Sequence, residues 1–300
     1  MRLTVAICAW NRSRLLEQTL SQIATLRIPQ DTTWELLVVD NNSTDETSKV
    51  VEAFSKASGL NVRRIFEARQ GKCFALNRGI AEARGDVIAF TDDDVLPQPD
   101  WLTVIHKEFS GDPALGVISG RVELFNPADL PITIVLCTKR AEFRSAGDTF
   151  VLMAGCNFAV RRAAFERSGL FDPDLGPGSR LQAAEDSDFF YRAWRAGVKL
   201  VSEPSVLVYH NHGRRTAEAG LRIRRSYTVA AGAFYAKHTL RGDWLAARAM
   251  YWDVNWVIHH RDIKMIACHV TWLLRGFIHY TFVHFLRTLT RIEVRSSRNG

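Results

Sequence analysis

The sequence predicts an α/β fold: a mixed, mostly parallel sheet flanked by helices, followed by a helical, basic C-terminal extension. Three observations predict it. From residue 3 to about 95, short apolar runs alternate with amphipathic stretches, as parallel strands joined by crossover helices require. A polar cluster stands at the end of three of those runs. The charge is also unevenly placed: of the net +7, residues 213–300 carry 15 Lys+Arg against 5 Asp+Glu, whereas residues 1–212 carry 24 against 27. The 300 residues therefore divide into a mildly acidic body, 1–212, and a basic region, 213–300.

The elements follow in order. Leu3–Ala9 is a continuous apolar run bounded by Asn11, the pattern of a strand buried on both faces. Residues 13–27 place Leu16, Leu20 and Ile23 on one helical face. Trp34–Val39 is a second buried strand, ending in Asp40, Asn41, Asn42 and Ser43. Ser43 and Glu46 have the spacing of a capping box, which predicts a helix through Lys56. Val62–Phe66 is a third strand, and Gly71 leads into a helix with Ala75, Leu76 and Ile80 inward. A fourth strand, residues 86–90, runs straight into Thr91, Asp92, Asp93 and Asp94. The alternation then weakens. Strands are expected over 117–124, 150–160 and 206–209, and a helix over 185–196. From Gly213 the chain reads as helical.

A composition of 47% hydrophobic and 24% charged residues with 9 Pro excludes a disordered, collagenous or low-complexity chain. The 5 cysteines are odd in number and widely spaced, so neither a disulfide framework nor a cysteine zinc site follows, and a reducing cytoplasm is expected. The N-terminal apolar run is too short for a signal peptide. Residues 265–289 are rich in Trp, Phe, Leu and Ile but contain Arg275 and Arg287, and a charge at mid-bilayer costs about 2.5–3.5 kcal/mol. At helical spacing Ile266, Val270, Leu273 and Phe277 lie beside Leu274, Ile278, Phe282, Phe285 and Leu289. Lys264, His284, Arg287 and Arg291 fall mostly off that stripe. A basic amphipathic helix on a membrane surface and a buried core helix both fit.

In open α/β sheets ligands bind beyond the carboxyl ends of the strands. Three polar clusters fall there: Trp10–Asn11–Arg12, Asp40–Asn41–Asn42 and Asp92–Asp93–Asp94. Three adjacent carboxylates repel one another unless a cation or hydrogen-bond donors compensate them. Such oxygen ligands suit Mg²⁺ or Mn²⁺, although a solvated acidic turn has the same composition. Glu185 and Asp186 stand at a helix start, where the helix dipole favours carboxylates; an ionised carboxylate there is equally a candidate general base. His210 and His212 face one side of a strand, as metal ligands or as packing residues. Lys72, at a helix N-terminus, is placed for phosphate or is a surface lysine.

Taken together, these blocks resemble the inverting nucleotide-sugar glycosyltransferases of the GT-A fold, a Rossmann-like architecture, and specifically glycosyltransferase family 2. The likeness runs from Leu3 to about His212. It rests on Thr4 to Arg12, on Leu37 to Asp45, on Gly71–Lys72 with Ala75 to Gly79, on Phe90 to Asp94 where the family has its D-x-D motif, on Glu185–Asp186, and on His210. The resemblance implies a donor site of Ala9, Asn11, Arg12, Asp40, Asn42, Lys72, Asp92 and Asp93. It implies Asp94, Asp92 and His210 as ligands of Mg²⁺ or Mn²⁺, with His212 as the other candidate histidine. Asp186 would be the catalytic base, with Glu185 the second candidate. The Ala154–Arg162 segment resembles the family's block near sugar and acceptor and implies roles there for Gly155 and Asn157. Trp10 departs from the usual Tyr or Phe. The Q-x-x-R-W motif of the family's processive synthases is not found, so transfer of single sugars from a nucleotide-sugar, UDP-sugar favoured, to a glycan or lipid-linked acceptor is expected. The alternatives are a sugar-phosphate nucleotidyltransferase, which would want a glycine-rich loop after the first strand, and an inactive sugar- or nucleotide-binding membrane-associated scaffold. The basic region at 262–300, with Trp and Phe beside its charges, implies an anionic membrane surface rather than nucleic acid, and a peripheral position on the cytoplasmic face.

Overall fold

The computed structural model describes residues 1–30 and 32–296, with side chains as far as residue 285. Contacts group the chain into two units: Met1–Gly178 with Glu185–Gly220, and Ser179–Ala184 with the chain from Leu221 onward. The division falls after Gly220 rather than after His212.

The first unit contains β1 (Arg2–Ala9), β2 (Thr33–Asp40), β3 (Val62–Phe66), β4 (Val87–Asp92), β5 (Val95–Pro97), β6 (Leu115–Leu124), β7 (Ala141–Glu142), β8 (Asn157–Arg161) and β9 (Lys199–His210). They form one sheet in the order β3-β2-β1-β4-β8-β6-β9-β5, with β7 also paired to β9. The β1–β2, β1–β4, β2–β3 and β6–β9 pairs are parallel, and the rest antiparallel. Because strand side chains alternate, β1 sends Leu3, Val5 and Ile7 to one core and Ala6 to the other. β2 divides likewise, Leu36 and Val38 against Leu37 and Val39. The first core is covered by α1 (Ser13–Ile23), α2 (Thr47–Ser58) and α4 (Trp101–Gly111), through Leu16, Leu20, Val51, Trp101 and Ile105. The second is covered by α3 (Lys72–Glu82), α5 (Arg162–Ser168) and α6 (Glu185–Arg195), through Leu76, Ile80, Phe165, Phe189 and Phe190.

Three local expectations are corrected. Ser43 does not close a capping box: its Oγ accepts the Asn11 N–H (3.2 Å), and Asp45 accepts the Thr47 N–H that opens α2 (3.0 Å). The strand expected over 150–160 begins only at Asn157, after a 3₁₀ turn at Ala146–Phe150. Ser119 is the reason, since its hydroxyl accepts the Ala154 N–H (2.8 Å) and donates to the Asn157 carbonyl (3.0 Å), replacing a strand ladder by a side-chain bracket. The strand expected over 206–209 starts at Lys199. Its register with β6 jumps from Gly120↔Glu203 to Arg121↔Leu207, so Pro204 sits in a bulge where a missing N–H does no harm. A side chain at Gly120 would lie 1.8 Å from the Val206 carbonyl oxygen, so only glycine allows this crossing.

The second unit is helical: α7 (Ala217–Thr239) from Leu221 on, α8 (Trp244–His260) and α9 (Ile263–Ser296). Gly232 and Gly276 let α7 and α9 touch backbone to backbone, since added Cβ atoms would stand 1.9 Å from the Leu273 oxygen and 1.7 Å from the Val229 oxygen. Asp253 of α8 faces Tyr235 of α7 and His269 of α9, each at 3.4 Å. The apolar stripe of α9 is split. Leu273 is buried, whereas Leu274, Ile278, Phe282 and Phe285 are exposed; Leu289, Arg287 and Arg291 lie outside the described side chains. No described helix is long and apolar enough to cross a membrane.

Candidate active site

Strand register brings the polar clusters level. Ala9 pairs with Asp40 and Cys8 with Asp92, so β1, β2 and β4 end on one edge. Val95 pairs with His210, which brings the start of β5, and Asp94 just before it, to the end of β9.

The β1 and β2 exits are knitted together. Asn11, in the left-handed region at φ 52°, accepts the Thr44 N–H at 2.7 Å through Oδ1. Asp40 is buried, with Oδ1 accepting the Ser43 N–H (3.0 Å) and Oδ2 accepting from Arg64 (3.1 Å). Asn42 is exposed at φ 60°. Ala9 does not present a free group: its methyl is in the core and its carbonyl accepts the Asn41 N–H. Asn41 also accepts the Gly71 N–H (2.9 Å) and donates to the Arg69 carbonyl (2.7 Å), which sets the entry to α3 and hence Lys72.

Lys72 lies 2.9 Å from Asp92 and 3.8 Å from Glu185. Burial would lower its pKa, but the charges of Asp92 and Glu185 outweigh it and hold the ammonium well above its ordinary value. Asp92 is therefore paired with Lys72. Arg12 spans Asp93 (3.2 Å) and Asp94 (2.8 Å). Burial, with Asp94 and Asp92 adding to it, pushes Asp93 up to about 7 even though Arg12 opposes. Asp94 resists the same burial, because His210 and Arg12 beside it bring it down to about 2.

His210 Nε2 stands 3.4 Å from Asp94 Oδ1. His212 turns away, its Nδ1 accepting the Arg214 N–H (3.0 Å) with Asp129 at 3.8 Å. Among the described residues no group of three or more His, Cys, Asp or Glu surrounds one metal position. Asp94 and His210 still fit Mg²⁺ or Mn²⁺, since such ions take one or two protein ligands and fill their shell with phosphate oxygens and water.

Glu185 and Asp186 open α6. Glu185 is buried and its pKa is raised, by burial first and then by the Asp186 charge, with Lys72 opposing. Asp186 is half-buried; Oδ1 accepts the Ser187 N–H (2.7 Å), and Oδ2 lies 2.2 Å from where a Cβ on Gly155 would be. Gly155 is thus the space the carboxylate occupies. Asn157 is corrected: it is wholly buried, accepts from Trp101 Nε1 (2.8 Å) and donates to the Arg121 and Val206 carbonyls (2.9 and 2.8 Å). With its amide engaged at both ends, it braces the sheet and offers nothing to a sugar. Arg64 on Asp40 and Asn41 on Gly71 are site residues that sequence reasoning did not single out for these contacts.

The family model described as Glycosyl transferase family 2 matches residues 4–169. Glycosyltransferase AglE of Haloferax volcanii is 30% identical over 95% of this chain and 85% of its own length. YdaM of Bacillus subtilis, named a probable glycosyltransferase, is 28% identical over 69% of this chain and 50% of its own. The chain spans about half the length, or less, of the first curated relatives it matches. Among solved structures, the mannosyltransferase PcManGT of Pyrobaculum calidifontis, solved with GDP-Man and Mn²⁺, shares the fold at a TM-score of 0.61 and 22% identity, over 96% of this chain and 87% of that one. The sheet order, the carboxylates at its edge and the match over more than half of the residues lead to one conclusion: the chain belongs to glycosyl transferase family 2.

Proposed function

We propose that this glycosyltransferase moves one sugar from a nucleoside-diphosphate sugar, a UDP-sugar before others, to an acceptor hydroxyl with inversion, in the assembly of a polysaccharide or glycolipid. The observation that carries the reading is the Asp186 carboxylate lying against the bare Gly155 backbone. Lys72 lies within the field of Asp186, Asp92 and Glu185, and Cys156 within that of Asp92, Asp94 and Asp186. Lys72, beside both Asp92 and Glu185, supports a single site for these groups.

In this reading Asp186 takes the proton of the acceptor hydroxyl as its oxygen bonds to the anomeric carbon, and the nucleoside diphosphate leaves from the opposite side. Asp40 receives the base, whose N–H competes with Arg64 for Oδ2 while Ser43 keeps Oδ1 in place. Asp92 faces the ribose or sugar, and Lys72 and Arg12 bring positive charge toward the diphosphate. Asp94 and His210 would hold Mg²⁺ or Mn²⁺, which when bound neutralises charge on the leaving diphosphate. Family membership and the presence of Asp92, Asp94 and Asp186 leave the nucleotidyltransferase and scaffold alternatives without support. The exposed aromatic residues of α8 and α9, with the basic charge of 213–300, support attachment to an anionic membrane surface and thereby to a lipid-linked acceptor.

Asp186→Asn tests the core of the reading. It is expected to lower turnover by roughly 10²–10⁴-fold while UDP still raises the melting temperature in the presence of Mn²⁺. Unchanged turnover would overturn the assignment. A ligand at 100 times its Kd adds about 2.7 kcal/mol, so stabilisation by GDP and not by UDP would replace uridine by guanosine as the donor base.

A further inference from the structure

The loop between β6 and β7 holds a backbone anomaly directly behind the metal histidine. Thr133 has φ 55°, in the left-handed region that β-branched residues almost never enter. Such strain persists only where the surroundings over-determine it, and it gathers at functional sites. Here the surroundings are explicit. On one side Val135 pairs with Val122 of β6 through two backbone hydrogen bonds, at 3.1 and 2.9 Å. On the other, the buried Asp129 carboxylate accepts the Gly213 N–H (3.0 Å) and Arg215 Nε–H (2.8 Å), and the Leu130 N–H donates to the Arg214 carbonyl (2.8 Å). The loop is clasped to the segment that leaves β9 just beyond His210.

The strained residue puts two oxygens on one atom. The Thr133 carbonyl lies 3.1 Å and its hydroxyl 3.2 Å from His210 Nδ1. A carbonyl only accepts, so Nδ1 is the donor to Thr133; without an ion Nε2, 3.4 Å from Asp94 Oδ1, is placed to donate to that carboxylate, and with an ion bound it is the nitrogen left to ligate. A ligating histidine is held in this way by the partner of its other nitrogen. We propose that Thr133 is a positioning residue for the metal site: held left-handed by the Asp129 clasp, it keeps His210 as the Nδ1–H tautomer with Nε2 aimed at the ion. The inference rests on the reading of His210 and Asp94 as metal ligands and adds what orients them.

Two measurements test it on the full chain. Nitrogen NMR of ¹⁵N-histidine-labelled protein with Mg²⁺ and UDP should show His210 as the Nδ1–H tautomer; the Nε2–H tautomer would overturn the proposal outright. Titration with Mn²⁺ should show Thr133→Val and Asp129→Ala binding the ion about 10–100-fold more weakly, with Thr133→Ser close to the unsubstituted chain and metal-free UDP affinity unchanged in all. His210→Ala separates the two levels. If it binds Mn²⁺ as well as the unsubstituted chain, the metal-ligand reading itself fails. If it loses Mn²⁺ while Thr133→Val and Asp129→Ala keep it, only the positioning role fails. Should Thr133→Val not fold, Asp129→Ala and the tautomer decide.

Discussion

Gly155 shows how a residue without a side chain sets the place of a carboxylate. Its Cβ position is 2.2 Å from Asp186 Oδ2, and a methyl fixed to the backbone cannot yield, so Gly155→Ala must swing the carboxylate aside. On the proposed role of Asp186 as the base, displacing it by about 1 Å costs on the order of 10²-fold. That loss of turnover, with nucleotide binding retained, is the expected outcome in steady-state kinetics. Glu185 carries a different signature. Its carboxyl is raised to about 7 by burial and by Asp186, so the folded chain holds its proton where the unfolded chain has released it. Stability on this account is full below the ordinary carboxylate range, falls as the pH rises toward 7, and stays reduced above. Glu185→Gln should therefore gain roughly 1–3 kcal/mol over the unsubstituted chain at pH 8 and little near pH 4. Urea unfolding at the two pH values measures it, and an advantage independent of pH would contradict the assignment. Asn157 marks the limit of residue type as a guide. An asparagine two residues after a glycine suits a sugar or a buried bracket equally well, and only the three internal partners tell them apart.

At the scale of elements, one carboxylate serves two helices. Asp45 accepts the Ser13 N–H that opens α1 (2.8 Å) and the Thr47 N–H that opens α2 (3.0 Å), and these bonds hold its pKa low against burial. Asp45→Ala should cost about 1–3 kcal/mol, the range for losing one or two such caps, read as a lower midpoint in denaturant. Ser43 and Glu46 have the spacing of a capping box, yet Ser43 is drawn off by the Asn11 N–H from the loop after β1. Local spacing registers the competition among residues three or four apart and not the arrival of a backbone N–H from the loop after β1. The same limit explains β9: Pro204 reads as a strand end until β6 supplies the bulge that accommodates it. By contrast β1, β2, β3 and α6 were legible nearly to the residue, and α1 at its start though it ends at Ile23 rather than residue 27, because a strand buried on both faces or a one-faced helix writes its period into its own residues.

Across the whole molecule, the charge asymmetry acquires a surface. In α8, Trp244, Tyr251, Trp252 and Trp256 are exposed, and in α9 Ile263, Leu274, Ile278, Phe282 and Phe285; Arg248, Arg261, Lys264 and Arg275 belong to the same stretch of chain. Cosedimentation should show the full chain on anionic vesicles and far less on zwitterionic ones. Binding should weaken as salt rises, since each basic residue near such a surface contributes about 1 kcal/mol, and with Trp252→Ala and Trp256→Ala. Equal binding to both vesicle types would remove the electrostatic part of the reading. The α/β class, the succession of the first four strands, the three polar clusters at their ends and the basic helical region were all legible in periodicity and charge along the chain. Packing settled that His210 and not His212 meets Asp94, that Asp92 pairs with Lys72, that Asn157 is a brace, and that Thr133 stands behind the histidine. Each of these depends on the register between strands and loops far apart in sequence, and register is settled by packing the whole sheet rather than by any one segment of it.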